Sequence, residues 1–142
     1  MAYRAPVTEF QFMLDHVVGF EAVAATKTFA EASPDLVASI LAEAGRLCTD
    51  VLGPLQRAGD TQGAALDNGV VRSSPGFAEG YGAIAAGGWI GISASAEHGG
   101  MGLPHTLASA VNDMMSGACL SLQLNPLIAL QKEFTFSRRA SR

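Results

Sequence analysis

The chain has 142 residues, of which 49% are hydrophobic and 15% charged, and its formal net charge at pH 7 is −4. A chain of this length suits one domain with its own hydrophobic core. Residues 1–131 carry five basic and twelve acidic residues, a net charge of −7, which argues against nucleic-acid binding. No apolar run approaches the ~20 residues of a membrane-spanning helix, and the first residues lack the apolar core of a signal peptide. The sequence therefore predicts a cytoplasmic protein.

The cysteines, Cys48 and Cys119, are far apart, and the histidines are scattered at His16, His98 and His105. A metal site needs its ligands at short spacings or in one cluster. The sequence therefore predicts no metal site and two buried, reduced thiols.

The first helical pattern begins after residues 3–7, with Thr8 as the predicted cap and Gly19 as the predicted stop. Its apolar residues follow the spacing of one helix face, which predicts a helix that packs on the core. They are Phe10, Met13, Leu14, Val17 and Val18. Residues 20–32 are alanine-rich and predict little helix.

The strongest helix start is Ser33-Pro34-Asp35, which combines a cap, a proline in the first turn and an acid near the helix dipole. A wide apolar stripe follows and ends at Gly53-Pro54, which predicts a core helix. The stripe contains Leu36, Val37, Ile40, Leu41, Ala44, Leu47, Cys48, Val51 and Leu52.

Turn signals fill the next stretch. Asp67-Asn68-Gly69 predicts a hairpin, although a two-stranded hairpin is marginally stable alone. Ser74-Pro75 predicts the start of a short helix, and Pro104 predicts the start of a long one with a break at Asn125-Pro126. The expected fold is therefore all-α, a bundle of about four to five helices with a glycine-rich loop and a short hairpin.

The glycine-rich loop is Gly87–Gly102, in which six of sixteen residues are glycine. It can be a plain connection between helices or a turn that shapes the domain. A phosphate cradle is disfavoured, because no lysine or arginine lies between Arg72 and Lys132.

Two stretches resemble the amino-terminal helical domain of acyl-CoA dehydrogenases. The loop resembles the family's G-x-x-G-[ILV] and [YF]-G-G-x-G runs, with His98 where the family usually has Tyr or Phe. The start of the chain resembles an extension of one branch of the family, which includes enzymes acting on methylmercaptopropionyl-CoA. The matching loop residues are Gly88, Gly91, Ile92, Gly99, Gly100 and Gly102, and those of the extension are Tyr3, Arg4, Ala5, Pro6, Phe10, Phe12 and Leu14.

The resemblance implies an FAD-dependent oxidoreductase that oxidises the Cα–Cβ bond of an acyl-CoA and passes electrons to an electron-transferring flavoprotein. Such enzymes also have a β domain, which makes most of the flavin contacts, and a carboxy-terminal helical domain, which supplies the catalytic glutamate. The resemblance therefore assigns no catalytic residue to this chain and implies no cofactor for the chain alone. It also implies a homo-oligomer. Near the end of the last helix, it implies an acyl-pocket role for Ser121, Leu122 and Asn125.

The resemblance covers residues 1–130, with 1–32 as the extension, and residues 131–142 form a basic tail unlike the family. This change in charge and in resemblance predicts that the chain is truncated or frameshifted before the flavin domain. The hypothesis can be tested by looking for a coding sequence of the flavin domain in the other two reading frames of the downstream DNA. A stand-alone helical module that pairs with a flavin-bearing subunit is the alternative, and an unrelated helical bundle is a third reading. Because the stripes of the Ser33 and Pro104 helices would lack partners, the sequence also predicts self-association of the chain.

Overall fold

The computed structural model describes residues 2–140, with side chains for residues 2–128. Short π- and 3₁₀-helical segments join the regular elements. The α-helices are α1 (Val7–Phe12), α2 (Phe20–Ala24), α3 (Pro34–Arg46), α4 (Gln56–Thr61), α5 (Phe77–Ala86) and α6 (His105–Ala140), and the strands are β1 (Ala65–Asp67) and β2 (Val70–Arg72). The predicted all-α class with a short hairpin is confirmed. In the described part of the chain, no helix has the length and hydropathy needed to span a membrane.

Helix α3 begins as its sequence predicts. The Ser33 hydroxyl accepts a hydrogen bond from the Leu36 backbone N–H at 3.3 Å. The helix becomes π-helical over Leu47–Leu52, before the predicted end at Gly53-Pro54, and a 3₁₀ turn at Gly53–Leu55 then leads into α4. We call the continuous helical segment of residues 34–55 the α3 rod, and its buried apolar side chains are Val37, Leu41, Ala44, Cys48 and Leu52.

The first helix departs from its predicted packing. A π-helical segment, Met13–Val18, extends α1 to Gly19, whose φ of +66° ends the helix as predicted. The predicted cap Thr8 is wrong, because the residue before the helix is Pro6. A π-helix bonds residue i to i+5, so residues after Met13 rotate away from the face that a 3.6-residue period predicts. Leu14 is buried, but Met13, Val17 and Val18 are exposed.

The segment before α1 lies against the rod and α6. The Tyr3 hydroxyl donates to the Met114 carbonyl at 2.8 Å, and the Ala5 N–H donates to the Thr49 hydroxyl at 3.3 Å. A Cβ added at Gly117 would lie 3.1 Å from the Tyr3 hydroxyl oxygen, and one at Gly53 would lie 3.1 Å from the Tyr3 Cβ. These two glycines therefore provide the space that Tyr3 occupies.

The hairpin forms where Asp67-Asn68-Gly69 predicts it, with Leu66 opposite Val71 in an antiparallel pair. Asn68 and Gly69 both have positive φ, +49° and +81°, as a two-residue hairpin turn with two left-handed positions requires. Both strands are exposed along their whole length. The hairpin therefore contributes nothing to the core.

Helix α5 begins at Phe77, not at the predicted Ser74-Pro75. Gly76 has a φ of +79° and precedes the first helical residue, so Ser74 and Pro75 form a turn before the helix. The Phe77 N–H donates to the Ser74 carbonyl at 3.2 Å and closes that turn.

Helix α6 begins directly after Pro104, but its irregular residue is Cys119 and not Asn125-Pro126. Cys119 has φ of −157° and ψ of +86°, which is extended backbone inside a helix. Before this point α6 buries one face in the same core as the α3 rod. That face contains Leu107, Ala108, Ala110, Val111, Met114, Met115 and Ala118.

Two glycines of α5 should respond oppositely to alanine. A Cβ at Gly82 would meet nothing within 4 Å, so Gly82→Ala should raise the free energy of unfolding by up to about 1 kcal/mol. A Cβ at Gly80 would lie 2.6 Å from Leu55 Cδ1 and 2.9 Å from Leu122 Cδ2. Gly80→Ala should therefore lower it by about 1 kcal/mol, as overpacking does. Urea unfolding of both variants checks this, and a stabilising Gly80→Ala would contradict the packing.

Candidate functional site

The predicted pocket residues lie directly after the irregular residue of α6 but do not surround one cavity. Leu122 is buried in the core, 4% exposed. Ser121 and Asn125 are exposed, one helical turn apart on another face. Ser121 faces α4, because a Cβ at Gly59 would contact its hydroxyl oxygen. The structure thus places these residues in one short segment with different surroundings.

A pair of side-chain amides, buried Gln123 and half-buried Asn112, shows how sharply α6 bends. Gln123 Nε2 donates to Asn112 Oδ1 at 3.0 Å. Residues eleven positions apart in a straight α-helix are about 16 Å apart along the axis. The chain must therefore fold back at Cys119 to bring these two side chains into contact. The bend also carries Leu122 towards α5.

Gln123 is only 1% exposed, and its Oε1 has no hydrogen-bond partner among the described residues. The sequence analysis missed both Asn112 and Gln123. Gln123 lies between Leu122 and Leu124, where the helical period alone gives no reason to expect a buried amide. Only the bend at Cys119 brings Gln123 next to Asn112.

The glycine-rich loop is a self-contained turn. Two 3₁₀ segments, Trp89–Gly91 and Ala96–His98, lie in it. The Met101 and Gly102 N–H groups donate at 2.9 Å to the carbonyls of Gly91 and Ala94, respectively. A Cβ at Gly100 would overlap the Ala94 carbonyl, so glycine is required there.

The loop does not offer its amides to a ligand. Besides those two N–H groups, the N–H of Gly99 donates to Ala96 and that of Gly100 to Ser95, at 3.1 Å and 3.0 Å. A phosphate cradle needs several free N–H groups directed at one point. The structure therefore favours the turn that shapes the domain over a phosphate site.

A shallow groove of about 490 Å³ lies between the α3 rod and the loop. Its floor is mostly apolar and includes Trp89 from the loop. Its charged rim contains Glu43, Arg46 and Asp50, and Arg46 Nη1 is 2.6 Å from Glu43 Oε1. Three of its lining residues, Ile40, Leu47 and Val51, were predicted from the sequence to belong to the core, and no groove was predicted. Its lining is Ser39, Ile40, Glu43, Arg46, Leu47, Asp50, Val51, Gly87 and Trp89.

The buried titratable groups serve packing. Burial raises the pKa of the Cys48 thiol to about 12, so this thiol is neutral at pH 7. Burial, with smaller contributions from the charges of Cys48 and Asp113, raises the pKa of the Tyr3 hydroxyl. Both cysteines are free and buried, as predicted. Among the residues with described side chains, no group of three or more histidine, cysteine or acidic residues could hold a metal ion.

Comparison with known proteins gives one informative relative. The chain is 38% identical over 128 residues to the 3-methylmercaptopropionyl-CoA dehydrogenase of Ruegeria pomeroyi. The resemblance to acyl-CoA dehydrogenases is thereby confirmed. The match covers 90% of this chain but 22% of the relative, so the chain spans about a fifth of that protein's length. No protein-family model matches the chain.

Removing one partner of the amide pair should be costly. Asn112→Ala leaves both polar ends of Gln123 unpaired, so we expect the free energy of unfolding to fall by about 1–3 kcal/mol. Asn125→Ala makes the same chemical change at an exposed position and should shift it by less than about 0.5 kcal/mol. Thermal and urea unfolding compare the two variants. Equal effects would mean that the pair does not hold the bend.

Because of Cys48, the free energy of unfolding should decrease at alkaline pH. Below pH 9, the thiol's ordinary pKa, it is protonated in both states and adds no pH dependence. Between about pH 9 and pH 12, the unfolded chain loses the proton that the folded chain keeps. The free energy of unfolding should then fall by up to about 1.4 kcal/mol per pH unit from this group.

Cys48→Ala should remove that part of the slope in urea unfolding between pH 9 and pH 11. Leu52→Ala is the control, because it also removes a buried side chain but no titratable group. It should lower stability at every pH and keep the wild-type slope. A Cys48→Ala variant with the wild-type slope would show that this thiol does not carry the effect.

Proposed function

We propose that this chain is the amino-terminal helical portion of an FAD-dependent acyl-CoA dehydrogenase. The observation that carries the proposal is the 38% identity to a dehydrogenase of this kind over 90% of the chain. The all-α fold supports it. In the intact protein the reaction would be oxidation of the Cα–Cβ bond of an acyl-CoA.

We propose that residues 1–130 form the helical domain, with 1–32 as an extension, and that the basic residues 131–142 lie outside it. The docking of Tyr3 on the Met114 carbonyl supports the inclusion of the extension, because it ties the start of the chain to α6. The side chains of residues 131–142 lie outside the part that the structure describes.

The described residues do not fit a flavin dinucleotide by themselves. The pyrophosphate of FAD needs cationic or N–H donors, and the N–H groups of residues 99–102 in the loop are already paired. At the groove, Arg46 is paired with Glu43, and the Asp50 carboxylate would repel a phosphate. We therefore assign FAD binding and the base to other parts of a longer protein and no catalysis to this chain alone. FAD would supply hydride acceptance there.

We propose that Ser121, Leu122 and Asn125 contribute to the far end of the acyl pocket. Their location after the bend of α6 supports this role, because the bend exposes Ser121 and Asn125 on one side. The exposed face would meet the acyl chain once the remaining domains are in place. Acyl-CoA, an electron-transferring flavoprotein and further copies of the chain would be the partners, in the cytoplasm.

A second candidate is a helical interaction module that pairs with a separate flavin-bearing subunit. Large apolar side chains at the surface favour it, and Leu120, Leu124 and Ile128 among them follow the four-residue spacing of one helix face. They include Phe12, Val17, Leu66, Val71, Leu120, Leu124 and Ile128. Both candidates assign the flavin to another polypeptide segment, and they differ in whether that segment is covalently joined.

A hybrid enzyme tests the first proposal. Residues 1–128 of this chain would replace the matching segment of the Ruegeria pomeroyi dehydrogenase. We expect the hybrid to retain FAD and to reduce an artificial electron acceptor with an acyl-CoA. Asn125→Ala in the hybrid should raise KM for acyl-CoA, because Asn125 lies on the exposed face after the bend, whereas Asp60→Asn on exposed α4 should leave KM unchanged. A hybrid that folds and retains FAD but cannot oxidise any acyl-CoA would contradict the proposal.

A further inference from the structure

The groove beside Trp89 presents apolar surface to solvent. Ile40, Leu47 and Trp89 are half-buried, and Val51 is 37% exposed. A strip of apolar residues bordered by charges is the usual receptor for an amphipathic helix. The shape therefore suits a helical segment more than a compact polar ligand.

The rim of the groove favours a positively charged occupant. Arg46 is engaged by Glu43, whereas Asp50 has no ion-pair partner among the residues with described side chains. Residues 131–142 carry four basic residues and one acidic residue, and they also contain Phe134 and Phe136. Residues 1–131 have a net charge of −7, so this segment is the part of the chain with complementary charge.

The lengths of groove and segment agree. The α3 rod lines the groove from Ser39 to Val51. Thirteen helical residues extend about 20 Å, and twelve residues would extend about 18 Å as a helix. The helical backbone of α6 continues to Ala140, so most of the segment is already helical.

We propose that the groove between α3 and Trp89 receives residues 131–142 of a second copy of this chain. Each copy has one groove and one basic segment, so reciprocal insertion gives a closed two-fold dimer. Asp50 would attract the arginines of the partner copy. The Trp89 side chain would become less exposed to solvent on association. This inference goes beyond the proposed function and does not depend on it.

The test uses the full chain and its single tryptophan, Trp89, as a built-in probe. Light scattering after size exclusion should give a dimer whose dissociation on dilution is matched by a red shift of Trp89 emission. A synthetic peptide with the sequence of residues 131–142 should convert dimer to monomer and restore the blue-shifted emission. The same peptide with Arg138→Glu and Arg139→Glu should do neither.

A matched pair of charge reversals locates the contact. Asp50→Lys should weaken dimerisation by about tenfold, because attraction at the groove becomes repulsion. Asp60→Lys makes the same charge change on exposed α4 and should leave the dimer unchanged. A chain that stays monomeric at all concentrations, or equal effects of the two variants, would overturn the proposal. A dimer that the peptide does not dissociate would assign the interface to another face. Peptide bound by a monomeric chain would mean that the groove takes a basic helix from a different protein.

Discussion

The packing of the α3 rod against α6 is the interaction on which the rest of the structure depends. Both elements bury one face in a single cluster, with Leu41 and Cys48 on the rod and Val111 and Met115 on α6 among its fully enclosed residues. The shorter elements have little core of their own. In α1 and its π-helical extension only Leu14 is buried, and the hairpin is exposed throughout. The positions of these shorter elements are therefore set by their contacts with the α3 rod and α6.

Glycine creates that space at several points. Gly53 and Gly117 admit Tyr3, and Gly80 admits Leu55 and Leu122. These close approaches explain why a helical protein carries glycine inside helices, where each one weakens the helix against alanine. In the glycine-rich loop, too, a glycine permits a close contact, since Gly100 lies against the Ala94 backbone. The loop is therefore part of the packing and not a ligand cradle.

Local sequence signals correctly predicted those helix ends and turns that depend only on neighbouring residues. Ser33-Pro34 begins α3, Gly19 ends the first helix, and Asp67-Asn68-Gly69 turns the hairpin, because caps and turns depend on a few adjacent residues. Features set by tertiary packing were not predictable in this way. The π-helical segments changed which face of the first helix is buried, and Cys119 bends α6 although Pro126 carries the stronger sequence signal.

The candidate functional residues also fall into two groups, those that could be predicted from the sequence and those that depend on tertiary contacts. The resemblance to a family pointed to Ser121, Leu122 and Asn125, and their pocket role stays a proposal. The amide pair Asn112 and Gln123 and the groove at Trp89 arise from contacts between residues that are not adjacent in sequence. Periodicity alone cannot predict such contacts. What the structure adds is therefore the bend that orients the end of the domain and a surface that can take a partner.

We propose that this chain carries the helical part of a flavoenzyme and does not hold the flavin by itself. The most direct measurement is the visible absorbance spectrum of the purified full chain after incubation with FAD and desalting. We predict no flavin band, because the N–H groups of residues 99–102 are already paired and the groove rim carries Asp50, which has no ion-pair partner among the residues with described side chains. A flavin band retained in stoichiometric amount would contradict the claim and would make this chain a small flavoprotein in its own right.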